Sequence, residues 1–466
     1  MTVQIDLLII GAGPAGMSAA ITARKHGLTV LVVDEQFEPG GQIWRNIETN
    51  SRINRSKILG SSYLEGKETV KRFRDCGAAY RPRTRVWQVE AGCKAYMSTD
   101  GVASQVKAKC MLLATGAQER PTPFPGWTLP GVMTVGAGQI LLKTSYQVPK
   151  GRVWIAGNGP LSLLYAVQLL DVGGKIAGFL DTTPRQSPFK LLSSFVKAAI
   201  HAPLDLFKGL GWLLKLRRHV KFIRNVSDVE AIGDDKIQHL RYKTGSGLED
   251  TVPADVLFVH EGIVPTIHPT LSLGCDHHWI GDQGSFAPTL NQWGETTKEN
   301  IFVAGDGAGI GGARVACLRG ELTALYIAHK TRHMSMAELQ VQAKPVRSRL
   351  KNAMASRPFL DKLYFPRSEI FNPDGRALAC RCEEVSVETV RDQANLQVFD
   401  PNKLKALTRA GMGPCQGRQC GYVIANLLAG SASCKPADIG LNRVRPPLKP
   451  LTLDELATLA EPEARP

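Results

Sequence analysis

Ile5-Asp6-Leu7-Leu8-Ile9-Ile10-Gly11-Ala12-Gly13-Pro14-Ala15-Gly16, followed after an alanine-rich stretch by Thr29-Val30-Leu31-Val32-Val33-Asp34, decides the fold. An apolar strand runs into a Gly-x-Gly-x-x-Gly turn, a helix follows, and a second strand ends in a carboxylate. That is the order of a βαβ dinucleotide-binding unit. Gly11 allows the tight turn, Gly13 lets the backbone approach a pyrophosphate, and Gly16 lets helix and strand pack closely. Pro14 and Ala15 open the helix, whose unpaired N–H groups and positive dipole end face the phosphates. Asp34, with Glu35 after it, stands where ribose hydroxyls are accepted. A tight turn without a ligand can carry the same glycines, but the strand before, the helix after and the acid at the right distance favour a nucleotide.

Outward from this unit, Pro39-Gly40-Gly41-Gln42-Ile43-Trp44-Arg45 forms a loop whose two glycines permit close approach to whatever the first unit holds. A helix is predicted over residues 63–75, and a small β-meander from the runs 84–89, 95–98 and 104–108. Met111-Leu112-Leu113-Ala114-Thr115-Gly116-Ala117 reads as a separate apolar strand ending in Thr-Gly. Pro121, Pro123 and Pro125 break regular structure after it and mark a hinge into a second domain.

The second domain opens with a partial echo of the first: strand 152–156, the turn Gly157-Asn158-Gly159-Pro160, helix 161–170 and a strand 175–180 before Asp181. Ser162 occupies the third glycine position, where a side chain crowds helix against strand. An NAD(P) site and a βαβ unit kept for structure both remain open. Residues 188–224 are apolar and basic, and Pro203 splits them into two amphipathic helices. A membrane-surface role is conceivable for such helices, and cover for a subunit interface is the favoured expectation. A strand over 255–260 returns to the domain. Cys275-Asp276-His277-His278 is expected to be a polar loop rather than a metal site, since adjacent histidines seldom face one ion.

Asn300-Ile301-Phe302-Val303-Ala304-Gly305-Asp306-Gly307 is an apolar strand delivering a Gly-Asp pair, and a helix over 313–328 follows. With these residues in view the chain resembles the two-dinucleotide-domain flavoproteins of the thioredoxin reductase and glutathione reductase type. The resemblance implies an α/β fold with two Rossmann-like domains, and an FAD lined by Gly11, Gly13, Gly16, Asp34, Gly41, Gln42, Thr115, Gly116, Gly305 and Asp306. No Cys-x-x-Cys pair appears in the second domain or the opening helix, so dithiol–disulfide exchange at the flavin is not expected.

At 466 residues the chain is too long for one core. Its 57 Lys and Arg against 42 Asp and Glu give a net charge of +15, spread through the chain apart from residues 208–224, so nucleic acid is not an expected partner. The N-terminus enters a core strand without a basic lead, and no apolar run reaches the roughly eighteen residues of a membrane span. A cytoplasmic chain is expected. Ten cysteines in a reducing compartment suit thiols or metal ligands better than disulfides. Cys76, Cys93, Cys110, Cys275, Cys317 and Cys434 are scattered, whereas Cys380, Cys382, Cys415 and Cys420 form two close pairs.

Four thiolates in two pairs can make a tetrahedral zinc site or hold an iron–sulfur cluster, and free thiols are the remaining reading. The single residue between Cys380 and Cys382, with glycines around Cys415 and Cys420, resembles the bacterioferritin-associated-ferredoxin type of [2Fe-2S] module. A flavin takes two electrons and such a cluster carries one, so the pair links hydride chemistry to an electron chain. Asn442 to Pro450, rich in proline and basic residues and followed by a short helical Leu-rich end, reads as an extended arm packed over a surface.

Taken together, the FAD unit, the inserted nucleotide-like domain, Cys-x-Cys with Gly-Pro-Cys-x4-Cys and the Arg-Pro-Pro-x-x-Pro tail resemble the α (A) subunits of multisubunit amino-acid dehydrogenases. That group includes opine oxidase, D-hydroxyproline dehydrogenase, dye-linked proline dehydrogenase and hydrogen cyanide synthase. The resemblance implies a partner β subunit, FAD-containing and amino-acid-oxidase-like, that oxidises the amine, with room for a small third subunit and for an FMN at a subunit interface. Electrons then leave through this chain to a quinone or other acceptor, with peripheral contact at the inner face of the membrane allowed. The expected division is an FAD domain from 1–125 and 285–335, an inserted NAD(P)-like domain at 126–284 with a helical insertion at 188–224, a connector at 336–375, a [2Fe-2S] domain at 376–440 and an arm at 441–466. No set of residues suited to binding an amino acid and taking its α-hydrogen is visible, so no catalytic residue is assigned. A self-contained NAD(P)H-dependent reductase of a protein acceptor is the alternative.

Overall fold

The computed structural model describes residues 5–53 and 59–459; the first four residues and the end of the expected arm, 460–466, lie outside them. Ile5–Ile10 is the middle of a parallel sheet, and Leu7 to Ile9 have no solvent exposure because both faces of the sheet are covered. Val30–Val33 pairs with it on one side, extended by Ala79–Arg81, and the end of Val102–Leu113 pairs on the other, extended by Ile301–Val303. The chain thus leaves this sheet, builds a second one and returns to the first.

Val102–Leu113 corrects the reading of two separate strands. It is one continuous strand of 12 residues. Its first half runs antiparallel to Lys94–Thr99, which pairs with Thr84–Glu90, and its second half enters the parallel sheet. Lys109 points to solvent and Cys110 to the core, so period-two alternation passes through the point where a break was expected. The helix expected over 63–75 is likewise two pieces, Ser61–Leu64 and Gly66–Asp75.

The second sheet is parallel, in the order Lys221–Arg224, Gly178–Asp181, Val153–Gly157, Val256–His260, Val132–Thr134. Its edge strand corrects the expected end of the amphipathic segment, since the helices are Pro188–His201 and Pro203–His219 and residues 221–224 join the sheet. A three-stranded antiparallel sheet, Val226–Ile232, His239–Thr244 and Glu249–Pro253, was not foreseen; Leu240, Tyr242 and Thr244 alternate inward along its middle strand. The expected polar loop at His277 is also a strand, His277–Ile280, paired with Ser285–Pro288. His277 is fixed there by a 2.8 Å hydrogen bond between its Nε2 and Thr270 Oγ1.

Helix Ala313–Lys330 lies along Pro14–Lys25, so close that a Cβ on Gly320 would stand 2.1 Å from the Ala15 carbonyl oxygen. Beyond it, Val387–Asn395, Pro401–Thr408 and Cys420–Ser431 enclose a small core of their own around Val387, Leu404 and Leu428. The arm then returns to the first domain. Val444 and Leu448 enter the core under the meander, the Leu448 amide donates to the Trp87 carbonyl at 2.6 Å, and Arg85 meets Glu455 at 2.9 Å. Among the described residues no helix is long and apolar enough to cross a membrane.

Candidate functional site

The opening glycine turn shows three different reasons for glycine. Gly11 has φ +109° and a Cβ on it would meet the Ala114 oxygen at 2.4 Å. On Gly16 a Cβ would stand 1.9 Å from the Gly11 oxygen. Gly13 differs: its φ is an ordinary −78°, and the nearest atom to an added Cβ is Gly41 Cα at 3.7 Å. Nothing within the chain requires glycine at 13, and the open space before it is what a ligand would use. Asp34 accepts from the Ala12 amide through Oδ2 and from the Gln36 amide at 2.7 Å through Oδ1, so the carboxylate braces the turn it faces. Burial raises its pKa, with those two N–H groups and Arg45 pulling the other way. Asp306 Oδ1 accepts from the Gly311 and Gly312 amides, both at 2.9 Å.

Gly11, Gly13, Pro14, Ala15, Asp34, Glu35, Gly41, Gln42, Thr115, Gly116, Gly305 and Asp306 all line one cavity of about 1270 Å3, with Gly16 beneath it. The expected residues are therefore together. The same walls carry groups that the sequence reading missed. Lys143, 3% exposed, donates from Nζ to the carbonyls of Gln42 and Ile43 and to Gln139 Oε1 at 2.9–3.0 Å. Burial, with Arg45 adding to it, pushes its pKa down to about 7. Glu119 Oε1 meets His260 Nδ1 at 2.7 Å while its Oε2 accepts from the Gly136 amide at 2.9 Å. Arg120 donates to the carbonyls of Glu261, Gln283 and Gly284, and burial lowers it to about 10. Lys449, from the distant arm, contacts Glu35 and closes the wall beside Asp34. A lone lysine within the apolar run Gln139-Ile140-Leu141-Leu142-Lys143 was the one sequence signal available for any of these.

The second glycine turn opens on the same cavity through Asn158, Gly159 and Pro160. Ser162 does not push helix from strand as expected. Fully buried, its hydroxyl turns back to donate to the carbonyls of Asn158 and Gly159 at 3.1 and 2.8 Å. Asn158 is 2% exposed, and neither its side-chain nitrogen nor its oxygen has a hydrogen-bond partner among the described residues. Tyr364 stands over the turn, 3.9 Å from the position a Gly159 Cβ would take.

The cysteine module adjoins this cavity. Arg381 and Arg418, each between the two cysteines of a pair, line it, and Gln118 Nε2 donates to the Arg418 carbonyl at 2.8 Å. His268 Nε2 donates to the Gln416 carbonyl at 3.1 Å, and Trp127 Nε1 to that of Leu378 at 3.0 Å. Across sequence, Cys380 is hydrogen-bonded to Cys420 and Cys382 to Cys415. The Cys420 bond, with backbone N–H groups of Gly411, Glu383 and Cys382, holds the Cys380 thiol down to about 6, while the same bond and burial raise Cys420. A Cβ on Gly413 would sit 2.3 Å from Cys382 Cβ, so glycine there is a packing requirement of the sulfur site. Among the described residues no group of three or more His, Cys, Asp or Glu side chains is arranged to hold a single metal ion.

Residues 5–331 match the model of the pyridine nucleotide-disulphide oxidoreductases, and residues 375–459 that of the sarcosine oxidase A3 domain. The A-type subunit of opine oxidase from Agrobacterium tumefaciens is 40% identical over 97% of this chain and 92% of its own length. The chain belongs to the pyridine nucleotide-disulphide oxidoreductases, among the A-type subunits of multisubunit amino-acid dehydrogenases. Hydrogen cyanide synthase subunit HcnB of Pseudomonas aeruginosa is 31% identical over 97% of this chain and 98% of its own. In fold, L-proline dehydrogenase from P. horikoshii superimposes with a TM-score of 0.69 at 20% identity, covering 98% of this chain and 80% of that one. This family member is thus an oxidoreductase, one subunit of a heteromeric flavin-dependent oxidase or dehydrogenase, with a dinucleotide-binding fold.

Proposed function

We propose that this chain is the electron-transfer subunit of a heteromeric amino-acid, opine or imino-acid dehydrogenase, holding FAD in the first glycine turn and a [2Fe-2S] cluster on Cys380, Cys382, Cys415 and Cys420. The observation that carries the reading is the shared wall: Arg381 and Arg418, beside the two cysteine pairs, line the same cavity as Gly13 and Asp306. The residues fit both groups. Gly13 leaves backbone open for a pyrophosphate, Gly41 packs against it with an added Cβ only 2.9 Å from Gly13 Cα, and the helix Pro14–Lys25 presents its N-terminus to the opening. Two pairs of thiols, Cys380 with Cys420 and Cys382 with Cys415, match a binuclear cluster in which each iron takes two. When bound, flavin and cluster together supply conversion of two-electron into one-electron transfer. The chain's own residues position them, keep water out through the buried Arg120 and Lys143 contacts, and offer cationic Arg381 and Arg418 where negative charge would pass.

The carbon–nitrogen bond is oxidised on the partner subunit in this reading, which also leaves room for an FMN where the subunits meet. Mixed anaerobically with octopine, proline or glycine, the isolated flavin-loaded chain stays oxidised, and adding the partner subunit restores reduction. Rapid bleaching of the isolated chain by any of these would overturn the assignment. The second reading, an NAD(P)H-dependent reductase, draws on the unpartnered Asn158 side chain at the second glycine turn. Flavin bleaching by NADH or NADPH within seconds distinguishes it.

A further inference from the structure

Helix Pro188–His201 is inside out. Ser194 and Ala198, 6% and 0% exposed, face the protein. Phe189, Leu192, Val196 and Ile200, three or four residues apart and so on one side, are 48–89% exposed. Helix Pro203–His219 repeats this with Leu204, Phe207, Leu210 and Leu214, which are 46–73% exposed, while Leu216 is fully buried on the other side. Patches of such extent on a folded chain mark an interaction surface.

We propose that residues 188–219 form a hairpin that lays this apolar face on an anionic phospholipid bilayer. Charge decides between lipid and protein as the occupant. Lys197, Lys208, Arg217 and Arg218 are exposed around the stripes, and the segment carries one acid, Asp205. Lysine is depleted from the cores of protein interfaces, whereas outward apolar residues ringed by cations are what a headgroup layer accepts. Neither helix can span the membrane, so the hairpin lies in the interfacial plane. Lys208 and Trp212, on the second helix, also line the flavin-site cavity, so docking sets that wall against the lipid.

The test is vesicle flotation of the full-length chain, alone and with its partner subunits. Vesicles of phosphatidylcholine containing phosphatidylglycerol should carry the protein to the top of the gradient, less so as salt rises, and pure phosphatidylcholine should not. R217Q together with R218Q weakens partitioning roughly 30-fold, about fivefold per cation. F189E together with F207E abolishes it, while the thermal midpoint and the bound flavin stay at their original values. Failure of the folded chain to float, equal flotation on both lipids, or unaltered flotation of these variants would overturn the proposal. Protection of 188–219 from deuterium exchange by the partner subunits without vesicles would also overturn it, and would assign the face to a protein interface.

Discussion

Gly13 and Gly16 are three residues apart in one turn and are glycine for different reasons. A methyl on Gly16 meets the Gly11 carbonyl at 1.9 Å, backbone against backbone, so Gly16→Ala should destabilise even the flavin-free chain by about 1–3 kcal/mol, read from its denaturation midpoint. A methyl on Gly13 meets nothing closer than 3.7 Å. Gly13→Ala should therefore leave the flavin-free chain as stable as before and lose most of its flavin, counted by absorbance after purification. Lost stability in both variants would show that position 13 is glycine for the fold and not for a ligand. Two imidazoles give the acid side of the stability profile. Burial holds His268 and His277 down to about 4 from an ordinary 6.5. The unfolded chain takes up those protons first, so stability is complete above pH 6.5 and falls as pH drops toward 4, by on the order of 3 kcal/mol for each ring. His268→Gln, which can still donate to the Gln416 carbonyl, should flatten that fall in a series of unfolding midpoints from pH 7 to 4.

At the scale of elements, the most informative contacts join segments far apart in the chain. Lys143 pins the loop 40–45 to helix Val135–Ser145 through two carbonyls. The arm crosses the meander and places Leu448, 5% exposed, and Lys449 in the wall beside Asp34. Leu448→Ala leaves a hole under the meander and should lower stability by about 2–5 kcal/mol and speed flavin release, which fluorescence of the freed flavin follows. Unchanged release at lowered stability would confine the arm to a structural role. These contacts explain what could be read beforehand. The βαβ unit was legible because its strand, turn, helix and acid are local and each residue type has a steric or electrostatic reason. The second glycine turn, 157–160, was legible as a turn in the same way, while Ser162 at the third glycine position left its ligand open. The antiparallel sheet of residues 226–253 was missed although Leu240, Tyr242 and Thr244 alternate along its middle strand, because its packing partner, Trp154, comes from a distant strand. Lys449 and the Glu119–His260 pair were invisible, and Lys143 carried only its place beside an apolar run, because tertiary contacts across tens to hundreds of residues bring them to the site.

For the whole molecule, a single cavity joins two dinucleotide turns and the wall of a cysteine module that has its own core. That arrangement suits the proposed relay, in which each group is fixed by a different part of the chain. Serine replacements of Cys380, Cys382, Cys415 and Cys420 should each remove iron while leaving flavin, because the module's core does not contain the flavin turn; loss of both from every variant would contradict that separation. The most direct measurement is low-temperature electron paramagnetic resonance of the anaerobically purified chain, mixed with an amine substrate such as octopine with and without the partner subunit. The account predicts the signal of a reduced [2Fe-2S] cluster only when the partner is present. A chain with stoichiometric flavin but no iron, or a cluster reduced by the amine without the partner, would contradict it.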